Sequence, residues 1–146
     1  MKLLHAFFAV LHVYSLHTVA HTQSAPALQA TNKDFHLILD GSSKKLKIGE
    51  HGVYKLKIQA LNGFKVSHDT PLSVKLSFSN GLSAETAELN RKNTTDPKSY
   101  EPAWSVAFEA QQKGTHVIDA SVNFFLCTEK ICQKMTTQHK HQVIVE

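Results

Sequence analysis

Two cysteines, Cys127 and Cys132, lie close together in the segment FFLCTEKICQKM, residues 124–135, and the chain has no others. Two thiols at this spacing can hold a soft metal ion, exchange electrons with another thiol pair, or close into a structural disulfide. No nucleophile turn, glycine-rich phosphate loop or HExxH motif accompanies them. The sequence therefore does not favour a hydrolase, and whether the chain is an enzyme depends on the cysteine pair.

The alternation of side chains around the pair predicts where the two sulfurs lie. Before Cys127, every second residue is apolar, which predicts a strand whose buried face carries Ile118, Ala120, Val122, Phe124 and Leu126. Cys127 has the opposite parity, and Cys132 shares its parity with the polar Lys134. A hairpin loop over residues 128–131 sets the cysteines opposite each other, at the separation that a disulfide needs. We therefore expect a disulfide with both cysteines on the wetter face of the sheet.

The residues alone do not decide whether such a disulfide is structural or exchangeable. As a structural staple it closes a short loop, so it stabilises by only about 2 kcal/mol. As an exchangeable bond it has Lys130 and Lys134 nearby, which favour a thiolate, and Glu129, which opposes one. The sequence gives equal support to these two alternatives.

The rest of the chain is patterned as β-strands. Period-two alternation is clear in VYKLKIQA, LSVKLSF and WSVAFEA, and turn residues such as Asn62-Gly63 and Asn80-Gly81 separate these segments. Trp104 falls on a buried face, and residues 90–102 form the long polar loop. Seven or eight strands predict an all-β fold, an immunoglobulin-like antiparallel β-sandwich over residues 34–146.

The first residues are patterned for export. Residues 1–20 combine Lys2, an apolar run and small residues before His21, as a secretory signal peptide does, and an uncleaved membrane anchor is the alternative. Residues 21–33 are small and polar, which predicts a flexible linker. We expect an exported protein, periplasmic or extracellular, that meets the membrane only if the signal is retained.

The net charge of +4 at pH 7 is too small to indicate nucleic-acid binding. The densest basic cluster is Lys44, Lys45 and Lys47, which we expect to face Lys55 and Lys57 across a turn. Such spacing is typical of a solvated strand face, so no nucleic-acid partner is expected.

Residues 49–146 resemble the periplasmic N-terminal domain of the thiol:disulfide interchange protein DsbD. The resemblance lies in IGEHGVYKLKIQALNGFKVSHDTPLSVKL, KGTHVIDASVNFFLCTEKIC and the closing HQVIVE. It implies an immunoglobulin-like domain with Cys127 and Cys132 as a redox pair, although the loop between the cysteines is shorter than the family's. The complete family protein also has a membrane electron conduit and a thioredoxin-like domain. A lone domain therefore implies a separate thioredoxin-like or membrane redox partner.

A copper site is a second class of function. Cys127, Cys132, Met135, His139 and His141 lie within 15 residues and include soft ligands. Parity places the two histidines on the face away from the cysteines, which favours polar strand residues over metal ligands. His21 at a new N-terminus is a further copper candidate. We expect no cofactor.

A non-catalytic binding module is the third class, since immunoglobulin-like sandwiches often present loops to partners. The loop 90–102 is its first candidate surface. This loop contains the glycosylation sequon Asn93-Thr94-Thr95, which has meaning only in a eukaryotic protein.

Overall fold

A computed structural model describes residues 29–146. In this range ten strands and one short 3₁₀ helix, Arg91–Asn93, form two sheets. The strands are β1 (Phe35–Ile38), β2 (Lys45–Leu46), β3 (His51–Ala60), β4 (Lys65–Val66), β5 (Ser73–Phe78), β6 (Leu82–Ser83), β7 (Glu88–Asn90), β8 (Ala103–Ala110), β9 (Gly114–Cys127) and β10 (Cys132–Val145).

The two sheets form an immunoglobulin-like β-sandwich, and the predicted all-β fold is confirmed. One sheet has the order β1-β3-β8-β6, and the other has the order β2-β10-β9-β5-β7, with β4 beside part of β9. The pairings are antiparallel apart from that between β2 and β10, which is parallel.

The core lies between the sheets and follows the predicted alternation. On β9, alternate residues from Ile118 to Leu126 are almost completely buried, and Leu56 and Trp104 cover them from the other sheet's strands. Burying a side chain of this size contributes about 1.5–3 kcal/mol each. Trp104 is a core residue as predicted, and its indole N–H donates to the Asn90 carbonyl at 3.0 Å.

The longest elements are β9 and β10, each of 14 residues, which form one continuous antiparallel hairpin. The sequence predicts a strand before Cys127 and a returning strand from Cys132, and the structure confirms both. The hairpin extends across the sandwich and presents its turn, residues 128–131, at one end. It therefore positions both cysteines.

The lysine-rich segment takes a different position from the predicted one. Lys45 and Leu46 pair in parallel with Ile144 and Val145 of β10, so they belong to the other sheet from Lys55. Lys45 lies near Glu146, with 3.8 Å between its Nζ and a carboxylate oxygen. The expected face-to-face arrangement of the two lysine groups is wrong, because the chain crosses between sheets here.

The folded region begins before residue 34. Ala30 is buried, and its N–H donates to the Gln133 side-chain oxygen at 2.7 Å. Thr31 and Asp34 then close a turn through hydrogen bonds of 2.7 and 2.8 Å. Packing therefore extends to Ala30, inside the segment 21–33 that was expected to be a linker.

The predicted signal peptide, residues 1–20, lies outside the described residues, as do residues 21–28. Those assignments stay predictions. Within residues 29–146, no helix is long and apolar enough to cross a membrane.

Candidate functional site

The tip of the β9–β10 hairpin carries a disulfide between Cys127 and Cys132. The two residues are directly opposite in the ladder, with 4.0 Å between their Cα atoms, which confirms the predicted pairing. The turn is closed by the Thr128 N–H, which donates to the Ile131 carbonyl at 2.8 Å. The Thr128 hydroxyl also accepts the N–H groups of Lys130 and Ile131. These local bonds hold the loop so that the two sulfurs meet.

The two cysteines differ in exposure. Cys132 is exposed, because β10 is an edge at this point and no described strand lies beyond it. Cys127 is only 9% exposed, because β4 pairs with it on the side away from Cys132. Both cysteines lie on the outer face of the sheet as predicted, but only Cys132 is exposed there, because Cys127 is covered. The disulfide has one accessible end and one protected end.

A lysine lies beside the protected end. Lys65 of β4 is the direct partner of Cys127 in the ladder, and paired residues of neighbouring strands point to the same face. The Lys65 Nζ lies over the Tyr100 ring, 5.0 Å from its centroid, as a cation–π contact. Lys134 lies on the same face two residues after Cys132, opposite Phe125. A lysine thus lies near each cysteine in the ladder, with the Lys65 ammonium directed to the Tyr100 ring.

Two residues that the sequence did not single out, Arg91 and Tyr100, join β4 and the residue after it to the loop 90–102. The Arg91 guanidinium donates to the carbonyls of Ser67 and Ser99 at 2.7 and 2.8 Å. The Val66 N–H donates to the Tyr100 carbonyl, and the Ser67 N–H donates to the Phe125 carbonyl. Burial lowers the pKa of Arg91, and the charge of Asp69 opposes that shift. The loop 90–102 is therefore part of the structure around the disulfide.

The segment KVSHDTP supplies an aromatic neighbour for Tyr100. His68 lies with its ring centroid 5.0 Å from that of Tyr100 and its Nε2 3.3 Å from an Asp69 oxygen. Tyr100 is 44% exposed, which is unusual among the large hydrophobic residues of the described range 29–146. Tyr100 and His68 therefore form an aromatic surface on the side of β4 away from Cys127.

The copper candidates do not meet the cysteines. Met135 and His141 are buried on the core face of β10, and His139 lies on that same face, whereas the cysteines lie on the outer face. The His141 Nε2 is 2.8 Å from the Ser43 carbonyl, and its ring packs edge-on against Tyr54. Among residues 29–146, no three histidine, cysteine or acidic side chains are placed to hold a metal ion. His21 lies outside the described residues.

The sequon of the loop is partly covered. The Asn93 side-chain oxygen accepts the Asn90 N–H at 2.9 Å, and the Thr94 hydroxyl donates to the Arg91 carbonyl at 2.7 Å. Thr94 is 8% exposed. These side chains cap the 3₁₀ helix, which gives them a structural purpose of their own.

No protein-family model matches the sequence, and no curated protein matches it. Among solved structures, native α-2-macroglobulin of Escherichia coli is similar with a TM-score of 0.50 and 15% identity, over 77% of this chain and 7% of that chain. A crystal structure of the same protein from domain MG7 to the C-terminus has a TM-score of 0.48 and 15% identity, over 77% and 16%.

A fimbrial protein is also similar in structure. AggA, the major subunit of aggregative adherence fimbriae type I of Escherichia coli, has a TM-score of 0.37 and 8% identity, over 82% of this chain and 100% of that chain. This chain spans only a small part of the macroglobulin structures. At 15% identity, the similarity to the native macroglobulin structure shows the β-sandwich fold alone.

Proposed function

We propose that this protein exchanges disulfides with a protein partner through Cys127 and Cys132. The observation that carries the proposal is the asymmetry of the bond, with Cys132 exposed at a sheet edge and Cys127 buried beside a lysine. A structural staple does not require this asymmetry. An exchangeable bond uses it, because attack is directed to one sulfur and the other leaves as a stabilised thiolate.

The exchange step follows from this geometry. A thiolate of the partner attacks the Cys132 sulfur, a new bond joins partner and Cys132, and the Cys127–Cys132 bond breaks. Its electron pair stays on Cys127 as a thiolate. A second thiolate of the partner then attacks the partner's own sulfur, which releases the Cys132 thiolate for protonation by water. The partner dithiol is oxidised, and the cysteine pair is reduced by two electrons.

The proposed partner is a thioredoxin-like or membrane redox protein, as the resemblance to the DsbD N-terminal domain implies. The proposed location is the periplasm or the extracellular space. The disulfide supports export, because such bonds persist in oxidising compartments.

The reduction potential of the purified protein tests the proposal. The protein is equilibrated in graded thiol buffers, and free thiols are trapped and counted by mass spectrometry. We expect a potential between about −120 and −270 mV, the range of known exchange proteins. A potential below about −300 mV is typical of a structural disulfide and would refute the exchange function.

Single-cysteine variants test which sulfur an outside partner can reach. C127S keeps only the exposed Cys132, and C132S keeps only the buried Cys127. We expect Cys132 in C127S to form a mixed disulfide with oxidised glutathione about tenfold faster than Cys127 in C132S, because the exchange rate depends on access to the thiolate. The rates are measured by mass spectrometry under equal pH and oxidant. Equal rates would contradict the proposed direction of attack.

The alternative function is a binding module whose disulfide is structural. The burial of Cys127 favours it, since a shielded sulfur resists exchange. The same potential measurement separates the two functions, because only the structural bond lies below the exchange range.

A further inference from the structure

Three side chains stand in a row on the outer face of the sheet at the hairpin tip: Lys65, Cys127 and Cys132. The ladder pairs Lys65 with Cys127, and Cys127 with Cys132. Directly paired residues in antiparallel strands have their Cβ atoms about 5 Å apart. A lysine side chain is longer than that distance, so its ammonium can reach the neighbouring sulfur.

In the oxidised protein, however, Lys65 points the other way. Its Nζ lies 5.0 Å from the centroid of Tyr100, and Tyr100 adjoins β4 on the side opposite to β9. A disulfide carries no charge, so nothing at Cys127 attracts the ammonium in this state. A cation over an exposed aromatic ring is held only weakly, because water competes for the ammonium. This contact is weak enough to be exchanged for a stronger one.

Reduction changes the charge at Cys127. A thiolate left on this sulfur is mostly shielded from water, and its nearest cross-strand cation is Lys65. Lys134 and Lys130 are further cations of the hairpin, and Glu129 is the anion of its loop. Lys134 is opposite Phe125, and Lys130 and Glu129 are exposed in the turn, so Lys65 has the most direct position.

We propose that Lys65 is a positioning residue that leaves the Tyr100 ring and pairs with the Cys127 thiolate when the disulfide is reduced. The inference rests on the proposed exchange function, in which a dithiol partner supplies the two electrons. Tyr100 holds the ammonium in the oxidised state, and Lys65 stabilises the leaving group in the reduced state. The pair Lys65–Tyr100 thereby biases which sulfur of the disulfide leaves.

Two substitutions with opposite expected effects test the inference. In a C132S background, the Cys127 thiol is titrated by the thiolate absorbance at 240 nm. We expect K65Q to raise the pKa of Cys127 by about half a pKa unit, because a neighbouring charge is lost. We expect Y100L to lower it by about a few tenths of a pKa unit, because Lys65 loses its competing contact. K140Q, on the same face of β10 beside Asp119, is the matched control and leaves the pKa unchanged.

A second readout follows the ammonium itself. In the wild-type chain, the Tyr100 ring proton shifts are compared between the oxidised and reduced states by NMR. We expect a change on reduction that is absent in K65Q and present in K140Q.

The outcomes separate this inference from the exchange function. An unchanged thiol pKa in K65Q, or a Tyr100 shift that persists in K65Q, overturns the role of Lys65 while leaving exchange intact. A wild-type reduction potential in the range of structural disulfides refutes exchange, even if the thiol titrations behave as expected.

Discussion

At the scale of single residues, Tyr54 shows the cost of a polar atom in this core. It is 1% exposed, and among the described residues its hydroxyl has no hydrogen-bond partner. Its ring packs against His141, with 5.8 Å between centroids. Burial raises the pKa of Tyr54 to about 12 from 10.0. The hydroxyl thus contributes nothing by hydrogen bonding, and its ionised form is disfavoured.

Replacing Tyr54 by phenylalanine should therefore stabilise the protein by up to about 1 kcal/mol at neutral pH, because a buried unpaired hydroxyl is removed. The pH dependence has a definite sign. The folded-state pKa of Tyr54 is raised, so its ionisation costs no stability below pH 10.0. The free energy of unfolding then falls as the pH rises from 10.0 toward 12, because the unfolded chain loses the proton first. Urea unfolding of wild type and Y54F between these pH values should show the steeper loss in wild type.

The control for this effect is Y100F, since Tyr100 is 44% exposed. Its unfolding free energy should follow the wild type across the same pH range. If Y54F and wild type lose stability in parallel, Tyr54 ionises in the folded state without penalty and the argument from burial is wrong.

At the scale of elements, β4 is the short strand on which the candidate site depends. Two residues pair with β9, and Arg91 holds the carbonyl of the next residue, Ser67. Without β4, Cys127 would lie at an open edge as Cys132 does. The burial of the Cys127 sulfur therefore depends on Arg91, which lies 36 positions earlier in the chain.

Removing Arg91 tests this dependence. R91A leaves the Ser67 and Ser99 carbonyls without their donor, which should cost about 2 kcal/mol in unfolding free energy. The Val66 and Ser67 amides should exchange with deuterium faster, and alkylation of Cys127 in a reduced C132S background should accelerate. K92A is the matched control, because Lys92 is exposed in the same 3₁₀ helix. Unchanged amide exchange in R91A would show that β4 is held by its ladder alone.

At the scale of the whole molecule, the alternation of side chains predicts the sandwich and the cysteine hairpin but not the surroundings of the disulfide. The face on which a strand residue lies follows from the alternation of its sequence neighbours. Parity therefore predicts that Leu126 is buried in the core and that Cys132 lies on the outer face. The burial of Cys127 depends on β4, a two-residue strand about 60 positions earlier whose pairing no local pattern specifies. Lys65 and Tyr100 were missed for the same reason. The local sequence feature that pointed to them was Tyr100 itself, an aromatic residue within the polar loop 90–102.

The whole sandwich also decides whether the disulfide can be opened without unfolding. The bond closes a loop of four residues, so its loss should cost only about 2 kcal/mol, whereas truncating the fully buried Leu126 to alanine should cost about 2–5 kcal/mol. We expect reduced wild type and the C127A/C132A double variant to stay folded, with NMR shift changes confined to the hairpin tip and β4. Urea unfolding of both, beside L126A, measures the difference. A reduced protein that unfolds would contradict exchange, because each round with a dithiol partner would then destroy the surface that the partner must recognise.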